Sequence, residues 1–100
     1  GNVMVDWVLT KRTPHQNNDW YVRNPGYTCG HGSSGVVSVI IKVNKNGNVI
    51  LAEYDSSKSS RANQCMIKQA IKYAKKSRFN YSQSALKNQI GRITYTFKSQ

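Results

Sequence analysis

Apolar and polar residues alternate most cleanly at the end of the chain. Ile93, Tyr95 and Phe97 interleave with Arg92, Thr94, Thr96 and Lys98. A period of two gives a strand with one apolar and one wet face. Val36 to Asn44 carries the same signal: Val37, Val39, Ile41 and Val43 share one face, and Val36, Ser38, Ile40 and Lys42 the other. Asn44-Lys45-Asn46-Gly47 follows, and its Asn-Gly pair predicts a tight hairpin with positive φ angles. Asn48 to Tyr54 is the returning strand, with no obvious inward face because Val49, Ile50, Leu51 and Ala52 are all apolar. Asn63 is placed to cap a helix running to about Ser77. Its apolar stripe is Met66, Ile67, Ala70 and Ala74, with Ile71 alongside. Phe79 follows as a core plug. Asn80 to Gly91 reads as a polar loop.

The order is β-β-α-β, which predicts an α+β fold. A small antiparallel sheet of three strands carries one main helix on one face, and Val3 to Leu9 is a candidate fourth strand. Lys11 to Ser34 reads as one long irregular segment, held by Trp20, Tyr21 and Tyr27.

Size and charge narrow the picture. One hundred residues make one domain, and with 38% apolar residues the core is small. No apolar run is long enough to span a membrane. The net charge is +11, and all four acids (Asp6, Asp19, Glu53, Asp55) lie in the first 55 residues. Lys68, Lys72, Lys75 and Lys76 share the outer face of the helix. Such a field steers anionic partners without naming one. A solvated face is the plainer reading of these lysines, ahead of a binding face.

Little suggests catalysis. The acids form no recognisable pair, so no catalytic residue and no cofactor is assigned. Cys29, His31, Cys65 and His15 match no zinc spacing, so no metal site is assigned either. Gly30, Gly32 and Gly35 precede a strand rather than a helix and read as loop. Cys29 and Cys65 permit one disulfide but are too few for a scaffold. Two buried or idle thiols are the plainer reading, with a bridge favoured in an oxidising compartment. Nucleic acid is not expected, because the aromatics of the last strand face inward rather than interleaving with the basic residues.

The terminal strand, Arg92 to Lys98, invites one more expectation. A strand so near the chain end is expected at a sheet edge, where unpaired N–H and C=O groups can accept another chain.

From Val36 onward the chain resembles the C-terminal domain of TonB-family energy transducers of the Bacteroidetes type. The residues that carry this are Gly35 to Val43, Asn46-Gly47-Asn48-Val49, Met66-Ile67 with Ala70 and Ala74, Arg78-Phe79-Asn80, and Gly91-Arg92-Ile93-Thr94-Tyr95-Thr96-Phe97-Lys98. Arg23-Asn24-Pro25-Gly26-Tyr27 resembles the family's Pro-x-Tyr-Pro segment, with Thr28 where the second proline is usual. The resemblance divides the chain into an N-terminal extension, 1–34, and a TonB C-terminal-like domain, 35–100. It implies a periplasmic domain, anchored to the inner membrane by an upstream region that engages an ExbB/ExbD-type motor. It implies that the domain binds the TonB box of outer-membrane receptors by β-strand addition, with Arg92, Ile93, Thr94, Tyr95, Thr96, Phe97 and Lys98 as the accepting edge. Pro25 and Tyr27 are candidate receptor contacts, and an exposed edge also permits a homodimer. The rivals are a basic module for an anionic polymer (peptidoglycan, lipid or nucleic acid) and a TonB-like tail on a sensor or membrane peptidase.

Overall fold

The structure is a computed structural model, described for residues 2–9, 29, 34–80 and 87–98. Four strands and one α-helix follow the expected order: β1 (Asn2–Val8), β2 (Gly35–Val43), β3 (Val49–Tyr54), α1 (Gln64–Lys76) and β4 (Gln89–Lys98). A short 3-10 turn, Ser56–Lys58, lies between β3 and α1. The sheet is antiparallel throughout, in the order β1-β4-β2-β3. This is the α+β arrangement expected, with the fourth strand present. β4 begins at Gln89, so Gln89 to Gly91 belong to the strand rather than to the preceding loop. None of the described helices is long and apolar enough to cross a membrane.

The period-two faces become the core. Val37, Val39, Ile41 and Val43 of β2 and Ile93, Tyr95 and Phe97 of β4 are fully buried. Met66, Ala70 and Ala74 of α1 meet them, and Phe79 fills the space beyond the helix. The small side chains at 70 and 74 let the helix lie close to the sheet. Asn63 caps the helix as its sequence predicts, with Oδ1 accepting from the Met66 N–H at 2.8 Å. Ser77 closes it: its N–H donates to the Ala74 carbonyl and its hydroxyl to the Tyr73 carbonyl, at 3.1 and 2.9 Å.

The hairpin expected at the Asn-Gly pair is present. Asn44 and Asn48 are bonded to each other, and Gly47 donates to the Asn44 carbonyl at 3.0 Å. The loop therefore holds three residues, with one left-handed residue, Gly47 at φ 90, rather than two. Gly47 is also tightly enclosed, since a Cβ there would lie 1.9 Å from the Phe79 carbonyl oxygen. The ladder between β2 and β3 shifts register at Lys42 and Val43. That irregularity explains the unreadable alternation of β3: Val49 and Ala52 both pack on the core while Ile50 is exposed.

α1 lies mainly across β2 and β3 and does not reach β1. Among the described residues, this off-centre placement leaves the β1 side of the sheet without a helix over it.

Candidate functional site

The strand expected to be the open edge is not one. β4 is paired on both sides, with β2 along Gln89 to Phe97 and with β1 along Arg92 to Lys98. The expectation that Arg92 to Lys98 offers a free edge is therefore corrected. Last in sequence is not last in the sheet, because β1 adds to the border that β2 leaves open. Ile93, Tyr95 and Phe97 point into the core. Arg92, Thr94 and Thr96 lie half-buried on the opposite face, and Lys98 is exposed. Pro25 and Tyr27, His15, His31, Gly30 and Gly32, and the aromatics Trp20 and Tyr21, lie outside the described residues.

Cys29 and Cys65 are joined in a disulfide, with Cα atoms 5.6 Å apart. The plainer reading of two idle thiols is corrected as well. The bridge pins the chain ahead of β2 to the first turn of α1, next to Met66.

A polar cluster that sequence reasoning missed sits on the wet face of the sheet. One Arg92 nitrogen, Nη1, donates to the Ser38 hydroxyl at 2.6 Å and to Asp55 Oδ2 at 2.8 Å. The other carboxylate oxygen of Asp55 accepts the Ser57 hydroxyl at 2.6 Å and its N–H at 3.1 Å. The Ser57 hydroxyl, and then Arg92, hold the Asp55 carboxyl below its ordinary pKa. Ser59 ties the chain down by accepting the Ser38 N–H and donating to the Asp55 carbonyl. Ser38 is thus buried although it lies on the wet face. Both Asp55 oxygens and the Ser38 and Ser59 hydroxyls accept hydrogen bonds within the cluster, which suits bracing. Among the described residues no three His, Cys, Asp or Glu side chains come together as metal ligands.

Tyr95 holds one unsatisfied group. Its buried hydroxyl meets no partner at hydrogen-bonding geometry among the described residues. Burial pushes the phenol well above its usual pKa, and the nearby Ser77 hydroxyl works weakly the other way.

Among the described residues, two borders remain for a visiting strand. That of β3 is partly closed: Asn48 bridges to Arg78, and the Phe79 N–H donates to the Gly47 carbonyl at 2.8 Å. Beyond Tyr54 the chain turns out and returns at Ser60, which pairs with Val36. The other border is β1, which touches β4 and no other described element. Of its neighbourhood only Val3 and Leu9 are buried, while Met4, Trp7 and Val8 are 51%, 40% and 70% exposed. Ordering the seven residues of β1 costs roughly 1–2 kcal/mol each in backbone entropy. Ladder bonds return about 1 kcal/mol each, and burying Val3 and Leu9 returns about 1.5–3 kcal/mol apiece. Beyond its ladder, β1 is therefore held chiefly by these two anchors.

Gly91 makes room for the end of β1. A Cβ there would lie 2.6 Å from both Leu9 Cδ1 and the Val8 carbonyl oxygen. No family model, curated protein or solved structure matches this chain.

Proposed function

We propose that the chain is a non-enzymatic periplasmic domain that grips the TonB-box segment of outer-membrane transporters by β-strand addition. In this reading it passes on force from an inner-membrane, proton-driven motor of the ExbB/ExbD type, reached through an upstream anchoring region. The observation that carries the reading is the β4 border. It is served by a strand held through its backbone ladder and the buried Val3 and Leu9, and a strand from another chain can form the same ladder. The Cys29–Cys65 bridge supports an oxidising compartment such as the periplasm. A few hydrogen bonds of about 1 kcal/mol net each give a grip that engages and lets go.

A second reading rests on α1. Lys68, Lys72, Lys75 and Lys76 are all exposed, with the Nζ atoms of Lys72 and Lys76 5.6 and 5.1 Å from the Tyr73 ring centroid. The Arg92–Asp55 ion pair lies elsewhere, on the wet face of the sheet. An anionic polymer fits the lysine face.

Salt separates the two. Titration of the labelled protein with a transporter's box peptide, followed by amide shifts, should perturb β1 and β4. It should change little between about 50 and 500 mM salt. Binding to an anionic polymer through the lysines should fall steeply over the same range. Absence of any amide shift at millimolar peptide would defeat the strand-addition reading.

A further inference from the structure

We propose that β1 is a resident stand-in for the ligand. The β4 border is then an acceptor site for an antiparallel extended peptide of about seven residues with an apolar side chain at every second position. This rests on the strand-addition reading and specifies its ligand.

The register defines what the site accepts. Asn2 to Val8 lie opposite Lys98 to Arg92 without a break. Val3, Val5 and Trp7 stand opposite Phe97, Tyr95 and Ile93, and those three β4 residues are fully buried. Leu9 reaches the hollow over Gly91, where a side chain on β4 would collide with it. These four positions make an apolar row on the core side. Met4, Asp6 and Val8 stand opposite Thr96, Thr94 and Arg92 on the wet face, and all three are exposed. Their side chains are therefore free to vary.

Exchange withdraws only the buried Val3 and Leu9 of this segment from the core. α1 does not reach β1, and no other described element has to move when β1 leaves. While β1 is in place it competes with any visitor, so the apparent affinity falls by the fraction of molecules whose border is vacant.

The test uses the full chain and a fluorescent peptide of residues 2–9, Asn-Val-Met-Val-Asp-Trp-Val-Leu. A second peptide of the same composition clusters its apolar residues at one end. One variant loosens β1 (Val3→Thr with Leu9→Thr). Another locks it by a new disulfide at a facing pair (Met4→Cys with Thr96→Cys). The locked protein is compared with the two single-cysteine variants rather than with reduced protein, so Cys29–Cys65 stays closed. Anisotropy should show the alternating peptide binding the loosened variant about tenfold tighter than wild type for each anchor lost. The locked variant should not bind it, and the clustered peptide should bind none. Equal binding to locked and loosened proteins overturns the proposal, as does equal binding of the two peptides. Because locking keeps β1 in its native register, it tests the site even where the loosened variant fails to fold. A transporter peptide bound equally by wild-type and locked proteins also overturns the acceptor site, while leaving the strand-addition reading intact. If the residue 2–9 peptide binds as expected and transporter peptides bind no variant, the site stands and the partner is corrected.

Discussion

Opening the disulfide is the perturbation whose magnitude follows most directly from the structure. Cys29 lies against the core ahead of β2, and Cys65 is the second residue of α1. The bridge spans 36 positions of sequence and restrains the unfolded chain over that whole stretch. Loop-closure entropy for a ring of that size is about 4 kcal/mol at room temperature. Domains of this size hold roughly 5–15 kcal/mol in total, so the loss is a large share of stability. The variant Cys29→Ser with Cys65→Ser removes the bridge without leaving a free thiol. Urea unfolding followed by far-ultraviolet circular dichroism then measures the change. With a slope of about 1–2 kcal/mol per molar, the midpoint falls by roughly 2–4 M. The slope itself should steepen, because an unbridged unfolded chain exposes more surface. Reducing the wild-type protein should reproduce both changes. A midpoint within about 0.5 M of wild type, at unchanged slope, would refute the entropy argument.

Three smaller predictions follow from single sites. Gly47→Ala places a Cβ against the Phe79 carbonyl at a left-handed φ. It should cost about 2 kcal/mol or more in the same urea assay, and an unchanged midpoint would contradict the enclosed turn. Tyr95→Phe removes a buried hydroxyl that meets no partner at hydrogen-bonding geometry among the described residues, so stability should be unchanged or rise by up to about 1 kcal/mol. A clear loss in calorimetric Tm would show that the hydroxyl is satisfied. Asp55 titrates below its unfolded pKa, so its contribution is complete above about pH 4 and fades as pH falls through the depressed folded value. Asp55→Asn should therefore flatten the acid limb of a Tm-against-pH curve below about pH 4, and a limb as steep as wild type would remove Asp55 as its source.

What the sequence makes legible is what is local. The alternation of β2 and β4, the Asn63 cap and the Met66-Ala70-Ala74 stripe all depend on neighbours within a few residues. Their burial follows from periodicity. The pairing of β1 with β4 joins Asn2 to Lys98, at opposite ends of the chain, and no local pattern encodes it. Chain order is a misleading cue here, because the last strand inserts between the first two. The candidate edge is misplaced for that reason alone: its residues are legible, but the strand on their outer border is not. Asp55 and Arg92 escape a sequence reading in the same way, since neither charge has its partner nearby in the chain. The inward face of β3 is hidden by a register shift, which breaks the period of two where it is read.

The direction of β1 has a mechanical consequence. Asn2 lies opposite Lys98, so tension across those two residues pulls at one end of the ladder, perpendicular to the strands. The rungs then break in succession, as in a zipper, and yield at low load. A visiting segment drawn along the strand axis instead loads all its rungs in shear, and resists together until it slips. On the strand-addition proposal, the same border would be easy to clear of its own strand and hard to strip of a bound segment under traction.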